Sequence, residues 1–332
     1  MSEGPPQEID PPPPPGRPAP RSPARGRGRP RRGSALIART TAGAGLVAVV
    51  LAALLILGVP GGGSGHSTET STQRPRSTTT AKSSTTPART APAPVPVLMY
   101  HVVANAPAGV ANPSLYVPQD QFSAQMQALK AAGWHAVTLD QLEGYWTQGK
   151  SLGPGKPIVL TFDTGYHSQY ANALPVLKSL GWVGDEELVV NGLPPSEGGI
   201  SGTEVRGLIA AGWEVDTQGL SHTDLTTVGS GQLTSEVASA RQTLQQQYGI
   251  PVHWFSYPLG HYDANVIAAV KSGGYTGATT VAPGLASKAG DPYRLPRLAV
   301  LPGTSPSALV TQIASARGDS AAPASYSGPG FA

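Results

Sequence analysis

Four times in this chain a helical pattern ends at a glycine followed at once by an aromatic residue that opens a short strand-like run: Gly133-Trp134, Gly181-Trp182, Gly212-Trp213 and Gly274-Tyr275. Glycine accepts the left-handed backbone that closes a helix, and aromatic and β-branched residues suit a pleated, half-buried surface, so each junction reads as a helix-to-strand connection. Strand candidates fall at 97–100, 158–162, 188–190, 213–216, 253–257, 275–280 and 295–300. Helical patterns fall at 119–132, 168–180, 202–211, 234–248, 263–272 and 305–316. Strands joined by helices of this length run parallel, and about seven such units in roughly 225 residues fit a distorted (β/α) barrel, whose chemistry sits at the C-terminal ends of its strands.

That pattern begins only near residue 95 of 332, and the residues before it differ in kind. Residues 1–39 carry eight Arg against Glu3, Glu8 and Asp10, and the stretch 1–34 is rich in Pro, Gly and Arg, with five prolines in a row at 11–15. Such a segment has too little apolar surface to offset the entropy of ordering and is expected to be a disordered cytoplasmic tail. Residues 40–59 are uncharged and mostly apolar; at ~1.5 Å rise per residue they match a hydrocarbon layer of ~30 Å, so a transmembrane anchor is expected. The arginines before it put the N-terminus in the cytoplasm and the remainder outside, at the cell membrane as a single-pass protein. A cleaved signal peptide is the alternative, but Leu57-Gly58-Val59-Pro60 lacks a small-x-small cleavage pattern. Residues 60–94, rich in Gly, Ser, Thr and Pro, read as a flexible linker; 95–317 as the folded domain; and 318–332 as a flexible tail.

Charge follows the same division: +5 for 1–39, +3 for 60–96 and −5 for 97–332. The basic balance belongs to the tails, so it does not point to nucleic acid as a partner of the domain. With no cysteine in the chain, a disulfide framework, a thiolate metal site and a cysteine nucleophile are all excluded.

Three clusters fall at predicted strand ends. The first is Thr161-Phe162-Asp163-Thr164-Gly165-Tyr166, where Gly165 permits a sharp exit and leaves Asp163 over the barrel mouth. The second, Asp216-Thr217-Gln218-Gly219-Leu220-Ser221-His222, sets His222 four residues beyond Gln218. The third, Phe255-Ser256-Tyr257-Pro258-Leu259-Gly260-His261-Tyr262, is a tight loop with an aromatic on either side.

Together with Leu98-Met99-Tyr100-His101 and Asp291-Pro292-Tyr293-Arg294-Leu295-Pro296-Arg297, this set resembles the polysaccharide deacetylases of carbohydrate esterase family 4, the NodB-homology domain, over residues 97–300. The early Tyr-His resembles the extracellular branch acting on exopolysaccharide N-acetylglucosamine. The resemblance implies a zinc ion that polarises an acetamide carbonyl and activates water, a carboxylate base and a histidine acid. On this sequence Asp163 matches the base, His101 the acid and His222 one metal ligand. Thr164 and Gln218 stand where the family has its metal-binding Asp and first metal-binding His. Catalytic zinc takes three ligands from His, carboxylate and thiolate, so two replacements leave zinc binding in doubt. Asp216, two residues before Gln218 on an extended strand, shares its face and is a candidate substitute ligand.

Each site residue also has a structural reading. Arg297 either orients Asp163 or anchors a strand end; His222 is a ligand or bonds loop carbonyls; Tyr166, Tyr257, Pro258 and Tyr262 line a sugar groove or belong to the core. The function expected is that of a membrane-anchored deacetylase-family protein that binds or acts on glycan containing N-acetylglucosamine in cell wall or exopolysaccharide, with hydrolysis lost or weakened. An active deacetylase with a rebuilt metal site is the alternative.

Overall fold

The computed structural model describes residues 92–193, 198–316 and 321–330. The expected membrane anchor at 40–59 lies outside them, as do the N-terminal tail and most of the linker. Among the described residues no helix is long and apolar enough to cross a membrane.

The first half comprises β1 (Val97–Tyr100), α1 (Gln119–Ala131), β2 (Trp134–Ala136), α2 (Leu139–Gln148), β3 (Lys156–Thr164), α3 (Leu174–Leu180) and β4 (Asp185–Leu188). The second comprises α4 (Gly202–Ala210), β5 (Glu214–Thr217), α5 (Ser230–Thr234), α6 (Ala240–Tyr248), β6 (Trp254–Ser256), α7 (Ala264–Ser272), β7 (Gly277–Thr279), β8 (Leu298–Ala299) and α8 (Pro306–Ser315). Every strand pairing is parallel, in the order β7-β6-β5-β4-β3-β1-β8, with β2 also on β3. A parallel bridge between Thr279 and Leu295 ties the free edge of β7 to the chain entering β8, so the sheet curls toward a barrel. All four junction glycines have positive φ, between 72° and 87°.

Alternation along the strands divides the side chains between the barrel interior and the helix layer. Phe162 of β3 faces outward and joins Tyr100, Phe122 and Trp213 in a run of aromatic contacts with centroids 4.9–6.0 Å apart. Helices α1 and α8 cover that face through Phe122, Met126, Leu129, Leu309 and Ile313, all buried.

Two departures from the sequence reading concern β4 and α2. The fourth strand is Asp185-Glu186-Glu187-Leu188, three residues earlier than expected, and all four residues are buried. Helix α2, absent from the reading, starts at a capping box between Thr138 and Gln141. Its first turn meets the base of the barrel, where Leu139 N donates to Asp185 Oδ1 at 2.8 Å and Asp140 N donates to Glu214 Oε2 at 3.1 Å. Carboxylates at a helix N-terminus satisfy amides that have no partner within the helix, which accounts for two of the interior acids.

Candidate functional site

Register builds the site. Asp163 of β3, Glu187 of β4 and Asp216 of β5 are direct neighbours across parallel strands, so all three point into the barrel. One cation faces this row. Arg297, just before β8, donates from Nη1 to Asp163 Oδ1 at 2.6 Å and from Nη2 to Oδ2 at 2.8 Å. The same guanidinium reaches Thr161 Oγ1, Ser256 Oγ and the Thr280 carbonyl at 2.9, 3.1 and 2.9 Å. Both partners of the pair are buried, so the bidentate geometry rather than screening by water sets its strength. Burial alone would raise the Asp163 pKa, but the Arg297 charge and hydrogen bonds outweigh it and hold the carboxyl below its ordinary value. Arg297 thus orients Asp163 and anchors the strand end at once.

Thr164 follows with φ 82°, a left-handed conformation that a β-branched residue adopts only under strain, and Gly165 continues it at 97°. Thr164 Oγ1 donates to Gln218 Oε1 at 3.1 Å, and Gln218 Nε2 donates to Asp163 Oδ2 at 3.3 Å. The two replacement residues therefore bond to each other and to the base position, and all three side chains are buried.

His101 is buried at the end of β1, with its carbonyl held by Gln169 Nε2 at 2.9 Å. That amide also donates to the Asp163 carbonyl at 2.8 Å, so Gln169 ties the acid and base positions together. The sequence reading missed Gln169, whose only signal is its place one turn beyond the Asp163 motif. Burial lowers the His101 pKa to about 4; Asp163 opposes this, and Arg297 and His222 add to it. His222, at φ 53°, also has its pKa lowered by burial, against Asp163, and its Nε2 is buried without a hydrogen-bond partner. Asp163, His101, His222, Thr164 and Gln218 are thus brought together.

Other expected site residues lie elsewhere. Asp216 is fully buried one rung below Gln218, and its Oδ1 accepts the amides of His253 and Trp254, both at 2.8 Å. Those amides fix the carboxylate beneath the site and leave its Oδ2 without a hydrogen-bond partner. Tyr257 and Tyr262 line no open groove. Each is 1% exposed, their rings stack at 4.6 Å, and their hydroxyls donate to the carbonyls of Tyr293 and Pro323 at 2.8 Å. Pro258 is buried with them in the loop after β6. Tyr166 remains half-buried beside the site, bridged to Gly199.

The donor set can be weighed against zinc. His222 Nε2 is free to bind, but the other two positions offer a hydroxyl and a carboxamide already bonded to one another. The Asp163 charge is neutralised by Arg297. Among the described residues no group of three or more His, Cys, Asp or Glu is placed to hold a metal ion. These residues do not fit the three-ligand catalytic site that the resemblance implied.

Residues 150–278 match the family model for polysaccharide deacetylase. YxkH of Bacillus subtilis, named as a polysaccharide deacetylase, is 28% identical over 219 residues, covering 66% of this chain and 76% of its own. A polysaccharide deacetylase structure from Bacillus cereus superposes with TM-score 0.59 at 27% identity, covering 67% of this chain and 69% of that one. The Streptococcus pyogenes deacetylase PplD, solved with acetate, shares the fold with TM-score 0.62 at 24% identity, covering 67% and 98%. The family model, the curated relative and the solved structures together indicate a polysaccharide deacetylase domain of NodB type.

Proposed function

We propose that this chain is a glycan-binding member of its family that has exchanged metal-dependent deacetylation for a hydrogen-bonded, metal-free site. The observation that supports this reading is the chain of bonds Thr164 to Gln218 to Asp163, closed by Arg297. Of the groups that would hold or activate a metal-bound water, two are replaced by Thr164 and Gln218, which bond to each other, Asp163 is paired with Arg297, and His222 alone keeps a ring nitrogen without a partner. What remains suits recognition. His101 and His222 are neutral near pH 7 because burial disfavours their charged forms. The free Nε2 of His222 can donate to the carbonyl oxygen of an N-acetyl group, as a neutral imidazole carries one N–H. The substrate class proposed is glycan with N-acetylglucosamine, from cell wall or exopolysaccharide. In this reading residues 40–59 anchor the protein in the cell membrane and the linker holds the domain outside, which protease accessibility on intact cells would test.

Titration of the protein with N-acetylated chito-oligosaccharide, together with an acetate-release assay, tests the function. Binding weakened by His222→Ala, with no acetate released, is expected. Turnover that a chelator abolishes would establish the alternative, an active deacetylase with a rebuilt metal site.

A further inference from the structure

Residues 321–330 return across the loop that follows β6. Tyr326 and Tyr262 exchange both backbone hydrogen bonds, at 2.8 and 2.9 Å, and Tyr262 Oη donates to the Pro323 carbonyl. Gly330 sits so close to Leu259 that an added Cβ would lie 2.6 Å from its carbonyl oxygen. This strap leaves Tyr262 1% exposed, yet of its own side chains only Ala322 is buried hydrophobic. Tyr326 adds a partly buried ring against the cluster that contains Tyr262, and the remaining docking contacts are hydrogen bonds.

One of those bonds differs from the rest. The His261 ring stands between two oxygen acceptors, Asp224 Oδ2 at 2.8 Å from Nδ1 and the Gly328 carbonyl at 2.7 Å from Nε2. Asp224 is set for this by Thr226, whose N and Oγ1 both donate to Oδ1 and leave Oδ2 for the ring. A neutral imidazole has one N–H and one lone pair, so it satisfies one acceptor and turns a lone pair on the other; only the imidazolium donates at both ends. Asp224 and, with its ring centroid 6.3 Å away, Tyr326 are the titratable groups that face the ring.

We propose that His261 is a proton-operated clamp that holds the 321–330 strap over the Tyr262 loop when the ring is charged and releases it when the ring is neutral. The direction of its pKa agrees. Burial would lower it, but the bonds to Asp224 and to the Gly328 carbonyl raise it above its ordinary value. A histidine raised in the folded state stabilises docking fully below its free value of ~6.5, and the stabilisation is lost as pH rises through the raised value. Release at alkaline pH would uncover Tyr262 on the loop flanking the site. The clamp does not depend on whether the domain binds glycan.

The test is an NMR titration of the whole chain from about pH 5 to about pH 9, the range around an ordinary histidine. It follows the His261 ring nitrogens and, normalised to an unfolded peptide, amide exchange at Tyr326. Expected is a ring protonated at both nitrogens while Tyr326 is protected, with both signals lost at one midpoint and exchange then faster by about tenfold or more. Asp224→Asn should move that midpoint to lower pH, and His261→Gln, which donates at one end only, should leave the strap loose throughout. A neutral ring beneath a protected strap, protection independent of pH, or an Asp224→Asn midpoint unchanged would each overturn the clamp.

Discussion

Replacing Arg297 with Met keeps the length of the side chain and removes its charge, and the structure allows the cost to be worked out. Asp163 is 1% exposed, and both of its oxygens depend on that guanidinium. The neighbours left to it are Gln218 Nε2 at 3.3 Å and Ser256 Oγ at 3.5 Å, too long to compensate a full charge. Breaking one side of a buried pair costs ~3–5 kcal/mol. The escape route gives a similar figure, because protonating a carboxyl of ordinary pKa ~4 at pH 7 costs about 4 kcal/mol. Urea unfolding at pH 7, followed by tryptophan fluorescence, should therefore show a loss of about 4 kcal/mol for Arg297→Met. Asp163→Asn in the same background should recover most of it, since the carboxamide needs no counter-ion. A loss under ~1 kcal/mol, the scale of an exposed pair, or a double variant that shows no recovery, would refute the assignment of Arg297 as the internal counter-ion.

Two further predictions concern pH. His101 is held at about 4 in the folded chain against ~6.5 when unfolded, so the unfolded chain takes the proton first. Its contribution is intact above about 6.5 and drains by roughly 2–3 kcal/mol as pH falls to 4; urea midpoints across that window should show the slope, and His101→Gln should flatten it. Glu187 has the opposite sign. Burial, then the Asp163 charge, raise its pKa well above the ordinary carboxylate range, so its contribution is present below ~4.3 and lost as pH rises. Glu187→Gln should therefore stabilise the domain at pH 7 by on the order of 1 kcal/mol or more, measured by the same unfolding assay.

The parallel barrel was legible because period and punctuation agreed: glycines closed helices, aromatics opened strands, and every junction glycine has the left-handed backbone its position required. The cluster at Asp163, Thr164, Gln218 and His222 was legible from motif spacing at strand ends. Strand β4 was misplaced because Asp185-Glu186-Glu187 reads as a polar turn, whereas register turns Asp185 and Glu187 into a barrel interior that one-dimensional patterning does not reveal. The height of Asp216 was hidden for a related reason: sharing a face with Gln218 does not reveal that the backbone amides of His253 and Trp254 hold its Oδ1 a rung lower. The Tyr257 and Tyr262 loop carried the right residues, but the strap that covers Tyr262 lies some 60 residues downstream, at a range no local pattern reports.

The central claim is that Thr164 and Gln218 have closed the metal site upon Asp163. Zinc content measured on the purified wild-type protein and on Thr164→Asp with Gln218→His, each equilibrated with zinc and desalted, tests this most directly. The account predicts zinc well below one per chain in the wild type and close to one in the double variant, whose three restored ligands would include His222. One zinc per chain in the wild type, retained through desalting and lost in His222→Ala, would contradict it.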